Sequence, residues 1–185
     1  MNKVREQETS ADKKLGLVMM IIAVVAILII ILVNIPWGGS GAKVAKEYEY
    51  LKRDNVFVTV KGKELKQKIE SGETFYLYIG SNKQTDADYF VYYADQLAKK
   101  FNVDKIYYMP LNKMSNEDLE FIRENSINEL SIEVPNMIYF VKDDASGNSK
   151  SYRISNVEDF KEYYGSNYWL LLSDFFANCT SLSLE

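Results

Sequence analysis

The chain has 185 residues, a formal net charge of −4 from 22 basic and 26 acidic side chains, no histidine and a single cysteine. Without histidine there is neither the commonest general base nor the commonest zinc ligand, so a Ser-His-Asp triad and zinc chemistry are excluded, and no metal or cofactor is called for. Cys179 alone cannot close an intramolecular disulfide, and the interspersed charges leave no clustered basic face for a nucleic acid.

Residues Leu15 to Ile35 form an apolar run whose only polar member is Asn34, near its end. About 20 such residues, rising 1.5 Å each, span a hydrocarbon core of roughly 30 Å, so the run reads as a transmembrane signal anchor. A cleaved signal peptide has a shorter apolar region and a small-residue cleavage site; here Asn34-Ile35-Pro36-Trp37 follows instead. Lys13 and Lys14 abut the run, which places residues 1–14 in the cytoplasm and the remainder outside it. Trp37 fits an interfacial anchor, Gly38 to Gly41 a flexible tether, and 36–55 as a whole a polar, helix-capable linker.

Beyond the linker the elements alternate. Val56 to Val60, β-branched and aromatic, is a strand. Lys61 to Ser71 carries Leu65 and Ile69 four apart and ends at Gly72, as a short helix should. Thr74 to Ile79 is a continuous apolar strand without alternation, the pattern of a strand covered on both faces. A polar turn follows, "SNKQTD". Phe90, Ala94, Leu97 and Phe101 then recur at helical spacing, with Asp95, Lys99 and Lys100 elsewhere on the wheel.

Lys105 to Met109 is a further strand. Ser115 with an acidic residue three later opens a helix through Leu119 and Ile122. Glu133 to Lys142 is a strand entered through Pro135, "DDASGNS" a hairpin loop, Ser151 to Ile154 the returning strand and Val157 to Tyr164 a helix. The order β-α-β-α-β-α-β-β-α predicts an α/β fold with a central mixed sheet covered on both faces over 56–164. Residues 165–185 add an apolar helix and tail.

Two motifs sharpen that reading. "YIGSNKQTDADYF", Tyr78 to Phe90, resembles the segment Y-[IF]-G-R-x-x-C-x-x-C-x-x-F of membrane-associated thioredoxin-like proteins of Gram-positive bacteria, known as bacteriocin transport accessory proteins. "VPNMIYFVKDD" is similar to their V-P-T-[LI]-x-[YF]-F-K-[DN]-G stretch, whose proline is cis. The resemblance implies a thioredoxin-like domain in which Pro135 is cis and faces Gln84 across a groove. It also sets Gln84 and Ala87 at the two cysteine positions. Thiol exchange needs a thiolate to attack and a second thiol to resolve; an amide and a methyl group do neither.

Cys179 lies in "NYWLLLSDFFANCTS", where a lone cysteine in apolar company reads as a small buried hydrophobe. That segment reads as an added core helix over one sheet face, with docking to a partner or to the outer bilayer surface as the alternative. Of Tyr89, Tyr92 and Tyr93, at least one should be exposed near the groove, because Phe90, Ala94 and Leu97 claim the buried face of their helix. A thioredoxin-like groove holds an extended peptide through the backbone of the residue before its proline, here Val134, and that mode needs no cysteine.

The expectation is therefore a membrane-anchored, extracytoplasmic thioredoxin-like module that binds protein or peptide within a secretion or bacteriocin-export system. Its groove would be lined by Ser81, Asn82, Lys83, Gln84, Asp86 and Tyr89 from the turn, and by Val134, Pro135 and Asn136 from the strand entry. The rival readings are an oxidoreductase using Cys179 with a partner's thiol, and a structural subunit of a membrane complex.

Overall fold

The computed structural model describes residues 16–25, 39–125, 135–142 and 152–182. The chain divides into two compact units, Met1–Trp37 and Gly38–Glu185. In the first, residues 16–25 are helical with outward-facing apolar side chains. The rest of the run from Leu15 to Ile35 lies outside the described residues, as do the N-terminal tail and Trp37. Among the described residues no helix is long and apolar enough to cross a membrane.

The second unit contains α1 (Ser40–Val44), β1 (Phe57–Thr59), α2 (Gly62–Ser71), β2 (Phe75–Gly80), α3 (Ala87–Lys100), β3 (Ile106–Pro110), a 3-10 turn (Leu111–Lys113), α4 (Asn116–Glu124), β4 (Asn136–Lys142), β5 (Tyr152–Asn156), α5 (Glu158–Tyr164) and α6 (Tyr168–Leu182). The strands form one five-stranded sheet in the order β1-β3-β2-β4-β5. β1 and β2 run parallel to β3, β4 runs antiparallel to β2, and β5 antiparallel to β4. This is the mixed sheet expected from the element order.

β2 is buried along its whole length, as its lack of alternation implies. On one face Leu77, Ile79, Ile138 and Phe140 pack against Leu65 and Ile69 of α2 and Ile122 of α4. On the other, Tyr76, Tyr78, Met137 and Tyr139 meet Phe90, Ala94 and Leu97 of α3 and Leu172, Phe175 and Phe176 of α6.

Local chemistry sets the helix ends. Gly72 takes the left-handed conformation, φ 78°, that closes α2. Ser115 accepts the Asp118 N–H while the Asp118 carboxylate accepts the Ser115 N–H, the reciprocal cap anticipated for α4.

Two features differ from expectation. Residues 40–55 belong to the fold: Val44, Tyr48 and Leu51 are buried, Ser40 Oγ accepts the Thr59 N–H at 2.6 Å, and Asn55 Nδ2 donates to the Gly41 carbonyl at 2.8 Å. Their spacing of four and three residues presents one apolar edge within a polar stretch. Asp95, placed by the sequence off the buried face, is only 2% exposed. It accepts the Val56 N–H at 2.9 Å and pairs with Lys99 at 2.8 Å, so a carboxylate satisfies the backbone donor just ahead of β1. Asp86 occupies the position before α3 but caps nothing. Its φ of 63° is left-handed, whereas a capping side chain needs an extended backbone to reach the first helical N–H groups.

α6 covers the sheet as a core helix, burying Leu171, Leu172, Phe175, Phe176 and Cys179. The hairpin loop between β4 and β5 lies outside the described residues.

Candidate functional site

The turn between β2 and α3 is organised by its own polar groups. Gln84 Oε1 accepts the Ser81 N–H at 3.0 Å, Ser81 Oγ accepts the Lys83 N–H at 3.2 Å, and the Ser81 carbonyl accepts the Gln84 N–H at 3.2 Å. The Gln84 carbonyl then takes the Ala87 N–H at 3.2 Å, carrying the chain into α3. Gln84 thus closes the corner, half-buried, while Asn82, Lys83, Thr85 and Asp86 are exposed. Ala87 is buried.

Beneath the corner lies a cluster of tyrosines. Tyr78 stacks between Phe90 and Tyr108, with ring centroids 5.6 Å and 5.4 Å away. Its ring leans along β2 over Gly80, where a Cβ would collide with the tyrosine hydroxyl, so the glycine is required by close approach. Tyr48 Oη donates to Tyr108 Oη at 3.1 Å and lies 3.4 Å from Tyr78 Oη; Tyr108 donates onward to Glu47 at 2.9 Å.

Burial is the main cause that pushes all three hydroxyls above the ordinary tyrosine range. They stay protonated at any physiological pH. They can hold structure and donate hydrogen bonds, but they supply no base.

The other wall is the entry to β4. Ile79 pairs with Asn136, which sets Pro135 at the level of Gly80 on the next rung. Strand alternation then separates the two residues. Pro135 lines a cavity of about 160 Å³ with Phe90, Val157, Tyr168 and Leu171, and with Lys161 and Ser166 at its edge. Asn136 shares the opposite face with Ile79 and Ile138, fully buried, and neither its Nδ2 nor its Oδ1 has a hydrogen-bond partner among the described residues.

Tyr168 joins this wall. Burial first, and then the Asp86 carboxylate, raise its hydroxyl above the ordinary range, against a lowering by Lys161.

Of the expected groove residues, Ser81, Asn82, Lys83, Gln84 and Asp86 therefore share one corner, with Pro135 level with Gly80 beside it. Tyr89 is exposed, and its ring lies 5.1 Å from that of Tyr50. The Asn136 side chain points away from the corner, and Val134 lies outside the described residues, together with its peptide bond to Pro135. Sequence reasoning missed Tyr48, Tyr50, Asp88, Lys161 and Tyr168. Asp88 accepts the Glu49 N–H at 2.7 Å and ties the segment after α1 to the start of α3. The buried spacing of Val44, Tyr48 and Leu51 was the signal available for that segment.

The only cysteine, Cys179, is fully buried in α6. Among the described residues no group of three His, Cys, Asp or Glu side chains could hold a metal ion. Beside the corner lie the apolar cavity and the exposed side chains of Asn82, Lys83, Thr85 and Asp86. Comparisons of the chain with protein-family models, with curated proteins and with solved structures find no match.

Proposed function

We propose that this chain is a membrane-anchored, extracytoplasmic binding module of thioredoxin-like fold that holds an extended protein segment and carries out no thiol chemistry. The observation that carries this reading is the corner itself. Gln84 and Ala87 stand at the start of α3, beside a proline at the head of an antiparallel strand, and the corner is closed by amide hydrogen bonds. The mixed sheet with helices on both faces agrees with the layout that the sequence resemblance implies. By that resemblance alone, the setting is a secretion or bacteriocin-export system of a Gram-positive bacterium, with the N-terminus in the cytoplasm.

A partner strand would run along the backbone entering β4 and set an apolar side chain into the cavity beside Pro135. At about 160 Å³ that cavity is similar in size to engineered cavities of about 150 Å³ that accept a benzene ring. The oxidoreductase reading would require Cys179 to leave its buried position in α6 before meeting any partner thiol.

Changing Tyr89 and Val134 together to glutamate tests the groove. Affinity capture from membranes should lose its partner while near-UV circular dichroism is retained; unchanged capture removes the groove from consideration. Insulin reduction by the wild-type chain, abolished by Cys179→Ser, would instead establish the redox reading.

A further inference from the structure

The cavity beside Pro135 has a buried floor and an open mouth. Phe90, Val157 and Leu171 are each no more than 3% exposed, Pro135 and Tyr168 are half-buried, and Lys161, Gly165 and Ser166 at the mouth are exposed. The side chains of the floor are hydrocarbon throughout.

Separate parts of the chain make the walls, and each wall is fixed from behind. Phe90 of α3 stacks on Tyr78 at 5.6 Å, and the Tyr168 ring at the start of α6 meets it edge-on at 5.6 Å and 76°. Gly165, left-handed at φ 53°, turns the chain from α5 into α6, and the Tyr164 hydroxyl donates to Asp174 to tie the two helices together. A pocket whose walls are already set gives up little freedom when it is filled.

The cavity also lies on the side that a docked strand would address. Met137 and Tyr139 face α3 and α6, and Pro135, two residues before Met137, opens toward the same face. A segment paired along the backbone entering β4 turns every second side chain that way. One of them is directed at the mouth.

We infer that this cavity is the anchor pocket for one phenylalanine of the held segment, so that the groove selects extended chains bearing that residue. The inference rests on the groove reading above. The volume of about 160 Å³ matches cavities of about 150 Å³, lined by leucine, isoleucine and phenylalanine, that accept benzene. A phenyl ring fills such a space, whereas an indole is too large for it. An entering ring meets those of Phe90 and Tyr168, and aromatic pairs attract beyond the area they bury; a leucine side chain gains the area alone.

The test uses the full chain in lipid nanodiscs, with N-acetylphenylalaninamide as the probe and the methyl signals of Val157 and Leu171 as the reporters in nuclear magnetic resonance. A neutral amide keeps the Lys161 charge out of the comparison. The expected result is a saturable shift at both residues, about 3- to 10-fold weaker binding of N-acetylleucinamide, and no saturable shift with N-acetyltryptophanamide. Leu171→Phe, which places a ring in the cavity, and Ser166→Trp, which covers the mouth from an exposed position, should each abolish the shift at Val157 with near-UV circular dichroism retained.

Absence of a saturable shift with the phenylalanine probe overturns the inference, as does leucine or tryptophan binding equally well. Capture from membranes that survives Ser166→Trp but is lost with Tyr89→Glu and Val134→Glu leaves the groove standing and overturns the anchor pocket alone. Capture that survives all of these changes refutes the groove, and the inference falls with it.

Discussion

Replacing Tyr48 with phenylalanine deletes one hydroxyl and keeps the ring. In the folded protein that hydroxyl donates to Tyr108 at 3.1 Å and lies 3.4 Å from the buried Tyr78 hydroxyl. Tyr108 keeps its own bond to Glu47, whereas Tyr78 loses the partner that Tyr48 provides. A lost hydrogen bond costs about 0.5–1.5 kcal/mol and a stranded buried hydroxyl about 1–3 kcal/mol, so Tyr48→Phe should destabilise by roughly 1–3 kcal/mol. Tyr48→Ala also empties the space of a fully buried ring and should cost about 3–5 kcal/mol, a large part of the roughly 5–15 kcal/mol that holds a domain together.

Tyr48→Phe combined with Tyr78→Phe should recover part of the loss, because removing both partners leaves no stranded group. Urea unfolding of the full chain in detergent micelles, followed by near-UV circular dichroism, reads these differences as midpoint shifts at constant m. Were Tyr48→Ala to cost less than about 0.5 kcal/mol, as surface changes do, residues 40–51 would be a tether and the packing argument would be wrong.

Three further outcomes follow from the same structure. Burial raises the Asp118 carboxyl, but its bonds with Ser115 and the nearby Lys66 outweigh that and hold it below the ordinary carboxylate range. A lowered folded-state value gives stability that is full above the unfolded value near about 3.9 and is lost as pH falls through the folded one. Asp118→Asn should therefore destabilise at neutral pH and converge with wild type in acid, checked by thermal unfolding across pH. An offset that persists at the lowest pH would contradict the assignment.

Gln84→Cys with Ala87→Cys should give a pair that oxidises to a disulfide, read as protection from alkylation in mass spectrometry. Two cysteines that remain alkylatable after oxidant would place the corner outside the thioredoxin-like alignment. Asn136→Leu should raise stability by about 1–2 kcal/mol, since it removes a buried amide without a partner among the described residues. A loss of stability would show that the amide is satisfied in the intact protein.

Elements governed by local chemistry were legible in the sequence. Gly72 closes α2 and Ser115 with Asp118 opens α4 because both devices act within a few residues of chain. β2 was legible because a strand covered on both faces leaves a continuous apolar run. Asp95 was not, since a lone acid on a helix reads as solvated until a distant strand brings the Val56 N–H to it. The segment around Tyr48 was hidden by its polar neighbours, which outnumber three buried side chains spaced for one edge. At the corner, the residues of the turn were found from Gly80 and Phe90. The partition of Pro135 and Asn136 to opposite faces emerged only with the pairing of Ile79 and Asn136.

Site-specific photocrosslinking from Lys83, an exposed side chain of the corner, in intact membranes and in a Cys179→Ser background, tests the central claim most directly. The account predicts a discrete adduct with another protein that is indifferent to Cys179→Ser and lost with Tyr89→Glu and Val134→Glu. Absence of any adduct from Lys83, or an adduct that requires the Cys179 thiol, would contradict it.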